Sequence, residues 1–515
     1  MYSTCRPITL VLSAIGVLVV SILLDRLVGR GDTLGWTSSA VYNWDQYGFA
    51  TLHGKLVTNP GGFEALTKPE IYQGHSPASF YPVFAVDRLL SSLGDGLLMF
   101  HLVFSLVLFF SVWHLLGRNQ LALIAAWATV LCPGYSIYPT VGDPNAVALY
   151  MVVPFAAMVV GLLSGKTLPP LRLTLLAALI FAYTSLNWST AFGHGILFSM
   201  LLVMPAVPRA RLGVYLGLSG LSVGVVGCFA VLDKMGGGAG TTGGIGFLNM
   251  LAGYTWGHCG YGSDLTTGKA IVRLSVANVV GLLPLLGLMG WFVVKFRNAS
   301  WRMEVLALLP VLAAMMGVMF MRNYFGHHPW MAVPMLMPGL VLSLALLFRR
   351  NPTERDQSTK PTSGLMFLAA CFLYALAILG AHRVYNAEAL ELTVLVLQRT
   401  ARTDTIVLVE SLDPQMVAQA EALGVSCDRH VVVLPDLKSP MPPGGNAYVL
   451  SAVNLADQLP VYAMSKKSAL PSLQFIGKMK AWYVRTISRR GPQDRHFEYT
   501  TGAVFGLYSL SPTTH

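Results

Sequence analysis

The residues of this chain that can do chemistry fall in a few short segments. Asn43-Trp44-Asp45-Gln46-Tyr47-Gly48-Phe49-Ala50-Thr51-Leu52-His53-Gly54 sets one carboxylate among aromatic and apolar neighbours. A carboxylate against apolar walls loses hydration, its pKa rises, and it becomes a candidate general base. The same Asp45 would also serve as a helix N-cap, accepting from backbone N–H groups and doing nothing else. Tyr72-Gln73-Gly74-His75-Ser76-Pro77-Ala78-Ser79-Phe80-Tyr81-Pro82 brings His75, an imidazole that can bind phosphate or donate to an acceptor, or simply pack in its loop. Gly142-Asp143-Pro144 offers a second carboxylate, at a helix start where the dipole favours an anion and proline suits the first turn. The densest cationic cluster is Met321-Arg322-Asn323-Tyr324-Phe325-Gly326-His327-His328-Pro329-Trp330. Arg322 can hold phosphate with its planar fork, and His327 and His328 can add donors or ligate a metal. Snorkelling to lipid headgroups is the plainer role for such an Arg.

Two further stretches carry weaker signals. Residues 234–272 begin with a glycine-rich run in which Gly238, Gly240 and Gly243 match a dinucleotide fingerprint, but no strand precedes it, so a lid is the better reading. Tyr254, Trp256, His258 and Tyr261 follow, able to stack on a sugar or headgroup, or to form an interfacial aromatic belt. Near the C-terminus Lys466, Lys467, Lys478, Lys480, Arg485, Arg489, Arg490 and Arg495 form a basic stretch suited to anionic headgroups, or to plain solvation.

The elements that hold these segments are membrane spans. The 515 residues are 54% hydrophobic and only 11% charged, with mean hydropathy +0.58. Soluble proteins carry about 25% charged residues, and no soluble fold of this size hides so much apolar surface. Apolar runs of roughly 20 residues, enough to cross a hydrocarbon core of about 30 Å, occur near 8–28, 97–116, 119–137, 146–164, 171–187, 191–207, 212–232, 273–294, 303–321, 331–348 and 364–381. Alternate loops carry Arg118; Lys166 and Arg172; Arg209 and Arg211; Lys295, Arg297 and Arg302; and Arg349, Arg350, Arg355 and Lys360. By the positive-inside rule those loops and the N-terminus are cytoplasmic, and the net charge of +11 orients helices rather than binding nucleic acid. Segments 30–96, 234–272 and 383–515 then lie outside, in what would be a bacterial inner membrane protein. The first run lacks a small-residue cleavage site and reads as a retained span. The expected division is a transmembrane domain over 1–382 and an extracytoplasmic α/β domain over 383–515. In that domain Ile406–Glu410, His430–Leu434, Ala447–Ser451 and Ala503–Leu510 read as strands and Pro414–Leu423 as a helix. Tyr81 to Leu93 reads as an amphipathic interfacial helix, with Phe84, Val86, Leu89, Leu90 and Leu93 on one side and Asp87 and Arg88 on the other. No cysteine spacing suggests a metal site.

This layout resembles the GT-C superfamily of membrane glycosyltransferases. Asp45, Tyr47, Ala50, Leu52 and Gly54 resemble the opening of the family's first outer loop, although the tyrosine stands two residues after the aspartate. Gly74-His75-Ser76-Pro77 with Tyr81 is similar to its segment before the interfacial helix. Gly142-Asp143-Pro144 is similar to its acidic position before the fourth span, and Arg322-Asn323-Tyr324 to its Arg-Tyr start of a late span. The resemblance covers about residues 8–350, and the family's usual Asp-Glu doublet is absent. It implies a helical membrane bundle that transfers a sugar from a polyprenyl-phosphate donor to a glycan, lipid or protein acceptor by inversion. Asp45 would be the base. Arg322 with His327 or His328 would hold the phosphate, Tyr47, Tyr324 and His258 would line the substrate, and His75 and Asp143 would orient acceptor or metal. A divalent ion is needed by some members only. Two other classes stand beside this one. A lipid-linked polysaccharide polymerase or ligase would carry its Arg/His cluster in a large late loop, where this chain has a short one. A transporter or flippase would place ionisable residues near the midplane of the spans, where this chain has few.

Overall fold

The computed structural model describes residues 7–28, 44, 48–52, 55, 80–90, 93–137, 144–164, 167–236, 267–295, 305–321, 332–350, 361–385, 395–396, 399–401, 404–417, 430–439, 446–465 and 505–510. The chain divides into two compact units, Met1–Arg26 with Leu97–Leu379, and Leu27–Gly96 with Gly380–His515. The outer loop 30–96 therefore falls in the second unit.

The first unit is helical. Its elements are α1 (Pro7–Val28), α3 (Leu93–Leu115), α4 (Gln120–Val130), α5 (Pro133–Ile137), α6 (Pro144–Tyr150), α7 (Val152–Leu163), α8 (Pro170–Leu186), α9 (Thr190–Val203), α10 (Arg209–Gly236), α11 (Thr267–Lys295), α12 (Leu309–Phe320), α13 (Val333–Arg350) and α14 (Pro361–Tyr385). The short α2 (Tyr81–Leu90) belongs to the second unit. The apolar runs read from the sequence are mainly helical where they are described, with breaks at 131–132, at Met151 and after Val203. Among the described residues six stretches are long and apolar enough to cross a membrane: Pro7–Asp25, Leu98–Leu115, Ala146–Leu163, Arg209–Cys228, Ile271–Val294 and Ser363–Gly380. Five shorter apolar helices accompany them. The chain is an integral membrane protein. Helix lengths are unequal: α10 and α11 have 28 and 29 residues, α9 and α12 only 14 and 12.

α13 is the centre of the bundle. From Val333 to Phe348 every residue but Leu336 is buried, and α5, α6, α7, α9, α11 and α12 all lie against it. A helix that is apolar all round belongs inside. Gly339 lets α12 approach closely, since a Cβ there would stand 2.9 Å from the Pro310 carbonyl oxygen and from Ala314 Cβ. The Ser343 hydroxyl of α13 accepts from the Val311 N–H at 3.3 Å, satisfying a donor left over in the first turn of α12.

Prolines shape the helices, and tyrosines repair what they break. Pro154 has no N–H for the Tyr150 carbonyl, which accounts for the interruption at Met151 between α6 and α7. Next to that break the Tyr183 hydroxyl donates to the Ala148 carbonyl at 3.1 Å. Pro284 inside α11 frees the Val280 carbonyl in the same way, and the Tyr374 hydroxyl of α14 donates to it at 2.8 Å. Without water, such groups must find protein partners.

The C-terminal part of the second unit carries a five-stranded sheet in the order β2-β1-β3-β5-β4. The strands are β1 (Thr405–Val409), β2 (His430–Leu434), β3 (Ala447–Ser451), β4 (Val461–Met464) and β5 (Gly506–Ser509). β1 runs parallel to β2 and β3, and β5 antiparallel to β3 and β4. β1 is buried along its whole length, as an unbroken apolar Thr-Ile-Val-Leu-Val strand in a sheet covered on both faces should be. Ile406 and Leu408 pack with Val431, Leu450 and Phe505, while Val407 and Val409 pack with Val449, Leu455 and Tyr508. Asp413 closes the end of β1, its carboxylate accepting from Met416 N and Ala452 N, both at 3.1 Å. The small helix expected from Pro414 is present over Pro414–Val417. β4 is an edge strand absent from the sequence reading. It is short, mostly exposed and bulged between Val461 and Ala463, so it has no clean apolar alternation. Tyr462 on β4 stacks on buried Tyr448 at 4.5 Å, and burial, with the neighbouring Tyr462, pushes the Tyr448 phenol up to about 12.

Candidate functional site

Asp45, Tyr47, His75, Asp143, His258, Arg322, Tyr324, His327 and His328 all lie outside the described residues. What the structure describes is the scaffold immediately flanking several of them.

In the second unit Trp44, the residue before Asp45, is 1% exposed. Its indole Nε1 donates to the Lys55 carbonyl at 2.7 Å, which ties the two ends of the 44–55 stretch together. Between them the backbone turns: Gly48 N donates to Trp44 O and Leu52 N to Gly48 O, each at 3.1 Å, and Gly48 has φ +90°, where glycine carries no Cβ penalty. The Trp44 ring meets Phe49 at 5.2 Å, Phe84 at 5.4 Å and Tyr81 at 5.6 Å, and Phe49 stacks on Phe84. Phe84 and Tyr81 belong to α2. The aromatic side of α2 therefore faces this box, while Leu89 (83% exposed), Leu90 and Arg88 are exposed. Of the residues expected on the apolar side of α2, Phe84 and Val86 are half-buried and Leu89 and Leu90 are exposed. Burial raises the Tyr81 phenol above its ordinary value.

In the first unit the helices flanking the segment with Asp143 pack on a helix flanking the segment with Arg322. α5 ends at Ile137 and α6 begins at Pro144, bracketing the first. Tyr150 of α6 donates its hydroxyl to the Gly134 carbonyl of α5 at 3.1 Å, and its ring meets Tyr135 edge-on at 5.2 Å. A Cβ on Gly134 would stand 2.6 Å from Val333 Cγ1 and 3.1 Å from Gly281 Cα. Val333 opens α13, so the start of α13 packs on α5. The segment with Arg322 follows Met321, which is fully buried at the close of α12. There Phe320 meets Phe192 of α9 at 6.3 Å, and Gly317 packs under the same Phe192.

Buried polar side chains line this end of the bundle, and the sequence reading singled out none of them. His101 of α3 is 2% exposed and stacks on Tyr135 at 5.6 Å, whose hydroxyl pairs with Ser105 Oγ at 2.9 Å. His194 of α9 joins three helices. Thr184 Oγ1 donates to the Ile180 carbonyl at 2.8 Å. His194 Nε2 lies 2.9 Å from Thr184 Oγ1 and Nδ1 lies 2.8 Å from the Tyr215 hydroxyl, so both ring nitrogens are engaged and His194 braces the three helices. Arg273 of α11 is also buried. Each is a lone polar residue in an apolar run, a pattern that gives no spacing signal.

At the opposite ends of the helices, the basic residues that oriented the chain cap carbonyls. Arg211 and Arg172 donate to the Leu163 and Ser164 carbonyls at the end of α7, and Arg118 pairs with His114. Cations at helix C-termini are favourable, so these have structural work. Among the described residues no three His, Cys, Asp or Glu side chains form a metal-ligating group.

No family model and no curated protein matches the sequence. Solved structures do. ArnT from Cupriavidus metallidurans, in the apo state, is similar with a TM-score of 0.51 at 14% identity, over 88% of this chain and 95% of ArnT. The arabinofuranosyltransferase AftD from Mycobacteria gives 0.43 at 14%, over 79% of this chain but 30% of AftD. The oligosaccharyltransferase AglB from Archaeoglobus fulgidus, in complex with an inhibitory peptide and a dolichol-phosphate, gives 0.41 at 14%, over 82% of this chain and 64% of AglB. The chain thus spans under a third of AftD and nearly all of ArnT. The likeness to ArnT shows the fold alone, a fold this chain shares over nearly the whole of ArnT's length.

Proposed function

We propose that this protein is a membrane glycosyltransferase that moves a sugar from a polyprenyl-phosphate-linked donor to a glycan, lipid or protein acceptor on the non-cytoplasmic side. The observation that supports the reading is the fold shared with ArnT over 88% of this chain. Asp45 takes the proton of the acceptor hydroxyl as that oxygen attacks the anomeric carbon. The bond from carbon to phosphate oxygen breaks, the configuration inverts, and polyprenyl phosphate leaves. Arg322, with His327 or His328, meets the charge that builds on the leaving oxygen. Tyr47, Tyr324 and His258 line the sugar, and His75 and Asp143 orient the acceptor or hold a divalent cation where one takes part.

The test is turnover of the full chain in lipid vesicles with a panel of polyprenyl-phosphate sugars. One donor should be consumed with release of polyprenyl phosphate, and Asp45→Asn should lower that rate by about 10²–10⁴-fold, as loss of a general base does. Absence of transfer from every donor, or an Asp45→Asn rate close to the parent's, would reject the assignment.

A further inference from the structure

We infer that Trp44 is the positioning residue for Asp45, holding its segment between the Lys55 carbonyl and the aromatic side of α2. The inference rests on the reading of Asp45 as the base. Trp44 is almost wholly buried, 1% exposed. Three rings form its pocket, two of them from α2, some forty residues on. Its one polar atom is spent on a backbone carbonyl eleven residues away, at 2.7 Å. The contacts therefore fix the side chain in two independent ways, by ring packing and by one directed hydrogen bond. Asp45 is the next residue in the sequence, and three residues after it Gly48 N bonds back to Trp44 O at 3.1 Å. Fixing Trp44 would therefore restrict the residue bonded to it. A proton acceptor that must meet one hydroxyl in one geometry needs that restriction, and small misplacements cost rate steeply.

The phenylalanine variant separates the two restraints, because Trp44→Phe keeps a ring in the box and removes the N–H to Lys55. In the full chain in vesicles, with the donor that turns over in the panel, Trp44→Phe should lower kcat by about 10- to 100-fold with the donor KM within about twofold of the parent. In an Asp45→Asn background the same substitution should cost nothing more, since Trp44 then has no base to place. A second readout needs no substrate. With the six native cysteines replaced, Asp45→Cys should react with a membrane-impermeant maleimide several-fold faster when Trp44→Phe is added. If Trp44→Phe accumulates poorly, Phe84→Leu, which thins the box from the α2 side, should give the same pattern. Unchanged kcat in Trp44→Phe overturns the inference, and so does a loss that adds in full to that of Asp45→Asn, because a structural residue behaves that way. If Asp45→Asn alone leaves the rate intact, the base assignment fails instead, and the maleimide rates still report whether Trp44 restrains position 45.

Discussion

Arg322 opens a segment whose two ends are packed, by Met321 behind it and by Val333 against Gly134 ahead of it. Under the proposed function, Arg322 meets the donor phosphate. Its fork makes two charge-assisted bonds that a lysine cannot reproduce. Arg322→Lys should therefore weaken donor binding by about tenfold, and Arg322→Ala by more, as an equilibrium measurement with a polyprenyl phosphate would read out. His327→Ala and His328→Ala should respond to a chelator if they hold a metal, whereas the Arg322 variants should not. Equal affinity in Arg322→Ala and the parent would leave headgroup snorkelling as its role. At this scale the sequence was legible only where residue type conflicts with place. Asp45, Asp143 and Arg322 stand out because charge at span ends needs a reason. Trp44 did not, since a tryptophan beside an aspartate looks like any interfacial aromatic, and its worth lies in a carbonyl eleven residues on. His194 did not either, for its three-helix bonding has no periodic trace.

The elements were far more legible. Length and hydropathy alone located each apolar helix, because a segment that must satisfy its own backbone in hydrocarbon has few ways to look otherwise. His430–Leu434 and Ala447–Ser451 form strands over the same residues that the apolar pattern marked. β4 escaped because an exposed, bulged edge strand of four residues buries too little to leave a pattern. Inside the bundle the proline repairs are testable. Removing the Tyr374 hydroxyl strands the Val280 carbonyl that Pro284 has already deprived of a partner. Tyr374→Phe should cost about 1 kcal/mol of stability, in the range of a net hydrogen bond or of polar contacts between membrane helices. In a Pro284→Ala background, where residue 284 regains its N–H, the same change should be close to neutral. Thermal unfolding of the four proteins in one detergent completes the cycle, and equal losses in both backgrounds would mean that Tyr374 acts by packing alone.

For the whole molecule, every catalytic role proposed above depends on the sidedness that the loop charges predict. Asp457 is exposed in the turn before β4. In a cysteine-free chain, Asp457→Cys should label with an impermeant reagent in intact cells, and a cysteine within 351–360 only after lysis. The reverse pattern would place the sheet and the candidate site in the cytoplasm and remove the proposed chemistry. The unequal helix lengths have a further consequence, for the lipid. On α12, Leu312, Met315, Met316 and Met319 are exposed. Yet residues 305–320 rise only about 24 Å as a helix, against a hydrocarbon layer of about 30 Å. Neighbouring α11, with 29 residues, has length to spare. A stretch shorter than the hydrocarbon layer is met by local thinning of the bilayer, by flanking side chains that reach the interface, or by association with other protein. The exposed methionine face of α12 is where bilayer thickness would bear on this chain.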